Sequence, residues 1–170
     1  MSSLSDVFSA INRLRDSGIV ADYAVGGATA VLFYAEPART YDLDVFVIVR
    51  PEDERGLAPL AGIYGWARSQ GYEAEAEHIL IDGVPVQFLP AHNALVEESV
   101  REAREQIYGT VTVRVVGPEH LVALALQAGG AKRRERAYQL LEAGGVDRGR
   151  LRDILTRHAL PRGILDADST

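Results

Sequence analysis

The chain alternates between stretches with a helical period and stretches with a strand period. Residues 4–17, LSDVFSAINRLRDS, put Leu4, Val7, Phe8, Ile11 and Leu14 on one helical stripe, which Gly18 ends. DYAVG (22–26) predicts a strand, and ATAVLFYA (28–35) a helix that Pro37 cuts off. The apolar run at 41–50 predicts another strand. Residues 53–70 predict a helix weakened by Gly56, Pro59, Gly62 and Gly65. In EHILIDGVPVQFL (77–89), two alternating runs flank Asp82-Gly83, which predicts a hairpin with a type I′ turn. A polar helix at 93–106, the strand TVTVRVV (110–116) and the helix PEHLVALALQA (118–128) follow, the last with Pro118 in its first turn. Two more helices are expected at 131–143 and 147–158, separated by Gly144-Gly145, and disorder is expected over 163–170. This order predicts an α/β or α+β fold, a mixed sheet flanked by helices with a C-terminal helical extension.

Composition narrows the setting. The 170 residues suit one domain, and the 47% hydrophobic and 25% charged fractions are those of an ordinary globular protein. No run approaches the roughly 18–20 apolar residues of a membrane span, so no membrane partner is expected. The first residues, MSSLSDVFSA, lack the basic and apolar regions of a secretory signal, which makes cytoplasm the expected location. Without cysteine there is neither a disulfide nor a thiolate metal site. The net charge of -6 is uneven: residues 1–130 carry 9 basic and 18 acidic side chains, and residues 131–162 carry 9 and 4. The acidic body argues against broad nucleic-acid binding, while the basic quarter leaves room for a local anionic partner or is simply a solvated helix face.

The candidate chemistry lies in VGGATAVLFYAEPARTYDLDVFVIV, residues 25–49. Asp42 and Asp44 sit two apart on a predicted strand and so face one side of the sheet. Unpaired buried carboxylates are costly, and two together repel unless a cation lies between them. Mg²⁺, or Mn²⁺, suits such a pair, because it takes oxygen ligands and keeps positions open for water and phosphate. Gly26 and Gly27 fall between a strand and a helix, where the backbone can approach a phosphate closely. The pair is neither a dinucleotide fingerprint nor a P-loop, because the further Gly and the Gly-Lys-Ser/Thr are missing.

Strand, Gly-Gly, helix, then Asp-Leu-Asp on the next strand resembles the nucleotidyltransferase superfamily, the fold shared with the DNA polymerase beta catalytic core. RTYDLDVFV (Arg39, Thr40, Asp42, Asp44) is similar to its minimal bacterial branch, which includes abortive-infection toxin nucleotidyltransferases; PEHLVALALQAGGAK resembles that branch too. The resemblance covers roughly residues 19–140. It implies a nucleotidyltransferase-like core at 1–117, a helical region at 118–162 packed on it, and transfer of a nucleoside monophosphate from an NTP to a hydroxyl. The acceptor would be a small molecule, a protein or RNA, and a cognate antitoxin is a further expected partner. The resemblance also implies that Gly26 and Gly27 hold the triphosphate and that Asp42 and Asp44 hold two Mg²⁺. Such chemistry asks for positioning and charge neutralisation rather than covalent help from the protein.

The chain departs from that pattern at the third carboxylate. On the later hairpin strand it offers Gln87, a neutral oxygen donor, and Asp82 nearby reads as a turn residue. The family's Gly-Arg-x-Lys-Asp turn becomes GGAKR here, which keeps Lys132 as the phosphate candidate and puts Arg133 in place of the acid. Arg39 is a phosphate or acceptor ligand, or a salt-bridge partner of the aspartates. Thr29 is a phosphate contact, or a capping and packing residue. Asp42 and Asp44 could instead form a dry ionic cluster with Arg39 and Lys132. His78, His92, His120 and His158 lack metal-ligand spacing and read as surface or local hydrogen-bonding groups. Trp66 and the tyrosines read as core. With Gln87 in that place, the second reading is a catalytically weakened module that binds a nucleotide or a partner.

Overall fold

The computed structural model describes residues 4–35, 42–54, 56 and 58–166. Among the described residues, eight α-helices and seven strands run in the order α1 (Leu4–Asp16), β1 (Val20–Gly26), α2 (Gly27–Val31), β2 (Leu43–Val49), α3 (Pro51–Glu54), α4 (Ala61–Ser69), β3 (Glu73–Glu75), β4 (His78–Ile81), β5 (Val84–Pro90), α5 (Ala94–Arg101), β6 (Arg104–Tyr108), β7 (Val111–Val115), α6 (Pro118–Ala128), α7 (Ala131–Glu142) and α8 (Arg148–Arg157). The strands form one mixed sheet in the order β3-β4-β5-β2-β1-β7-β6. β2 lies at its centre, antiparallel to β1 and parallel to β5.

Alternation along β2 sorts the two faces. Leu43, Val45 and Val47 are buried on one side, and Asp44 and Phe46 are half-buried on the other. Tyr23 of β1 pairs with Val47 and so shares its face. Its hydroxyl donates to Asn12 Oδ1 at 2.6 Å, which brings α1 onto that side. α1 buries Val7, Phe8, Ala10, Ile11 and Leu14 there, the stripe read from the sequence, with Asp6 and Arg13 placed to suit its dipole. The opposite face meets α5, α6 and α7.

Local chemistry sets the ends of these helices. Asn93 caps α5 by accepting from Val96 N at 2.9 Å, and Asp147 caps α8 by accepting from Arg150 N at 3.0 Å. α6 begins with Pro118 and ends at Gly129, whose φ of 73° turns the chain. The fully buried Glu119 accepts from Arg104 Nη2 at 3.0 Å and from Asp147 N at 2.9 Å, which ties α6 to β6 and to the start of α8.

Four expectations change. The polar helix expected at 93–106 stops at Arg101, and Arg104–Tyr108 becomes β6, paired antiparallel with β7 from Arg104↔Val115 to Tyr108↔Val111. Hairpin pairing there outweighs the helical preference of Arg, Glu and Gln, and Gly109 supplies the turn with a φ of 63°. The helix expected at 53–70 splits into α3 and α4 around Gly56 and Pro59, because proline cannot donate to a helix ladder. The helix expected at 28–35 shortens to α2, five residues from Gly27 to Val31, before a turn. Gly163–Asp166 forms a 3-10 turn with Ile164 buried, so the disorder expected from 163 does not describe those four residues; 167–170 lie outside the described residues. The short β3 had no apolar signal, since all three of its residues are exposed. No helix among the described residues is long and apolar enough to cross a membrane.

Candidate active site

The two aspartates, the glycines and Gln87 converge at one end of β2. Gly26 pairs with Asp44 across β1 and β2, and Gln87 pairs with Asp44 across β2 and β5. Paired residues of neighbouring strands share a face, so Asp44 and Gln87 stand side by side. Asp42, two residues before Asp44, sits just outside the strand with its side chain 56% exposed. His78 Nε2 lies 3.8 Å from Asp42 Oδ2. The sequence assigned His78 no site role; the β4–β5 pairing carries it there.

The two glycines meet different neighbours. A Cβ on Gly26 would run into the Phe46 ring, and one on Gly27 would run into the Asp44 carboxylate. Gly27 also has a φ of 59°, the left-handed region that glycine enters freely. Gly26 is therefore explained by packing. Gly27 keeps open the space beside the carboxylate. Thr29 is buried, and its hydroxyl donates to the Asp42 carbonyl at 3.3 Å, fastening the start of β2 to α2. That geometry is the packing role named for Thr29. Arg39 lies outside the described residues.

Burial first, and then the charge of Asp42, push the Asp44 carboxyl above its ordinary pKa, while His78 and Arg136 pull it down. A divalent cation would add positive charge beside Asp44, and the donor set fits one: two carboxylates, the Gln87 amide oxygen and the space left by Gly27.

Asp44 opens onto a cavity of about 390 Å³ between the sheet and α5, α6 and α7. Phe46 and Leu89 come from the sheet; Val96, Leu121, Leu124 and Leu140 form an apolar wall. Arg133 and Arg136 line it as well, along with His92 and Asn93. Lys132, the phosphate candidate, is exposed on α7 and is not among the lining residues. The α7 residues that line the cavity are Arg133, Arg136 and Leu140. Their i, i+3, i+7 spacing puts those three on one helix face.

A second carboxylate cluster lies between α5 and α6, where Glu98, Glu102 and His120 bring one potential metal-ligating atom each within 4.8 Å of one another. Its charges are already answered. Arg157 donates to both Glu98 oxygens at 2.6 and 3.1 Å, and His120 and His158 approach them at 3.0 and 2.8 Å. His120 and His158 are thus local hydrogen-bonding groups, and His120 is fully buried.

The sequence matches no protein-family model, and comparison with curated proteins returns no match. Solved structures do match the fold. The antibiotic-resistance factor ANT(2'')-Ia in solution aligns with a TM-score of 0.54 and 13% identity over 92% of this chain and 91% of that one. The same protein in complex with adenylyl-2''-tobramycin aligns with a TM-score of 0.58 and 13% identity over 92% and 97%. An antigenic nucleotidyltransferase-like protein from Paracoccidioides brasiliensis aligns with a TM-score of 0.55 and 16% identity over 82% and 74%. This chain has the nucleotidyltransferase fold.

Proposed function

We propose that the protein is a Mg²⁺-dependent nucleotidyltransferase that moves a nucleoside monophosphate from an NTP to a hydroxyl acceptor. The observation that carries this reading is the register Gly26–Asp44–Gln87, which sets an under-compensated carboxylate beside a Cβ-free turn on the nucleotidyltransferase fold. Asp42 and Asp44 would hold the metal, with Gln87 as a neutral third donor and Mn²⁺ as a substitute ion. Bound divalent ions supply charge neutralisation at the phosphates and a lowered pKa for the acceptor hydroxyl. Asp44 and Asp42 orient that charge, Gly27 leaves room for a phosphate oxygen next to it, and the apolar wall keeps water from the reacting face. On this reading residues 1–117 are the catalytic core, and 118–162 close the cavity.

A small-molecule acceptor is the first to test, because a neighbour of the same fold carries an adenylylated antibiotic. Nothing comparable supports a cognate antitoxin. Release of pyrophosphate from each NTP across a panel of hydroxyl compounds tests the reading. Asp44→Asn is expected to lower transfer by about a thousandfold or more. Unchanged transfer by that variant overturns the reading.

Gln87 supports a second reading, a nucleotide-binding module with weakened catalysis, since it places an uncharged group at the register of Asp44. Nucleotide binding without pyrophosphate release, together with activity gained by Gln87→Asp, would favour it.

A further inference from the structure

The cavity that Asp44 opens onto is also lined by two arginines of α7. Arg136 is half-buried and lines the cavity, and among the described residues its side chain has neither an ion pair nor a hydrogen bond. Its guanidinium is near enough to Asp44 to act on that carboxyl electrostatically, yet no ion pair joins them. Arg133, one turn earlier, lines the same cavity and spends one N–H on the Gly129 carbonyl in a long contact of 3.4 Å. Two arginines three apart on a helix share a face, and planar guanidinium forks suit phosphate oxygens. A half-buried cation facing a gap, with a carboxylate beyond it, is arranged for an anion brought in from outside.

We propose that Arg133 and Arg136 on α7 are the oligophosphate-binding wall of this cavity, in place of Lys132 on the same helix. The identity of the oligophosphate as the tail of an NTP rests on the nucleotidyltransferase reading; its charge and shape rest on the cavity alone. Arg136, the more buried of the two, makes the larger contribution. Its charge also faces the metal-binding carboxylates, so an oligophosphate lying between is held from both sides.

Calorimetry of the full chain with inorganic tripolyphosphate and, separately, with NTP, both in Mg²⁺, tests the assignment. Arg136→Ala is expected to weaken tripolyphosphate binding about tenfold or more, and Arg133→Ala about threefold. Arg136→Lys keeps the charge without the fork and is expected to fall between wild type and Arg136→Ala. Arg134→Ala removes the same charge from a side chain that does not line the cavity, and binding should stay within about twofold. Equal losses for Arg134→Ala and Arg136→Ala overturn the proposal, as does a loss carried by Lys132→Ala instead, or a wild-type protein that binds no tripolyphosphate. If Arg136 governs tripolyphosphate binding but no NTP is turned over, the proposal stands and the nucleotidyltransferase reading falls. If Asp44→Asn abolishes transfer while Arg136→Ala binds tripolyphosphate normally, the reading stands and the proposal falls.

Discussion

Two carboxylate clusters in this protein have opposite electrostatic states. Around Glu98, one arginine and two histidines crowd a single carboxylate. The hydrogen bonds from Arg157 foremost, helped by those from His120 and His158, outweigh burial and pull its pKa down to about 2. Around Asp44, burial and a second carboxylate push the pKa up, with a histidine and an arginine acting only at a distance. The Glu98 cluster resembles a metal site by composition, yet the Glu98 oxygens are taken by hydrogen bonds from Arg157, His120 and His158. Among the described residues, the Asp44 carboxylate has no ion pair or hydrogen bond of that kind. A candidate site is better recognised by charge left unanswered than by the number of acidic residues.

The contrast is open to attack by substitution. Gly27→Ala is expected to have the largest effect on stability, about 2 kcal/mol or more, because it adds left-handed strain and drives a methyl into the Asp44 carboxylate. Urea unfolding measures the loss, and nucleotide transfer should fall with it.

Glu98→Gln is expected to cost about 1–2 kcal/mol at neutral pH, discounted because Arg157 is 50% exposed. The native pKa lies below the model-peptide value of 4.5, so this stabilisation is present above pH 4.5 and is lost as the pH falls toward 2. Melting temperatures across that window should drop more steeply for the wild type than for the variant. Matching slopes would mean that Glu98 gains nothing from its cations.

Asp44→Asn should give the smallest change, and in the other direction. A carboxyl with a raised native pKa costs stability once it ionises, so the protein loses stability as the pH rises past the ordinary carboxylate range. Removing that charge is expected to raise the neutral-pH melting temperature on the order of 2 °C without added metal. A fall of several degrees would show that Asp44 is already neutralised within the protein.

Much of this architecture was legible from periodicity. The α1 stripe, the Asp82-Gly83 hairpin with φ of 49° and 83°, and the Pro118 helix all follow local chemistry strong enough to survive tertiary context. The nearness of Gly27 to Asp44 followed from the family resemblance rather than from periodicity. What escaped depended on distant partners. β6 is a strand only because β7 lies beside it. His78 reaches Asp42 only through the order β4-β5-β2, and nothing local distinguishes it from His92. Arg136 lines the cavity and Lys132 does not, a difference that no local motif marks.

The walls of the cavity are contributed by parts of the chain made far apart in time. The glycines and acids are complete by residue 44, whereas the two arginines belong to a helix that begins only at residue 131. During synthesis from the N-terminus, the nascent chain carries its acidic half-site for some ninety residues before the basic half can dock. On the proposed assignment, an oligophosphate meets both walls only after α7 has packed.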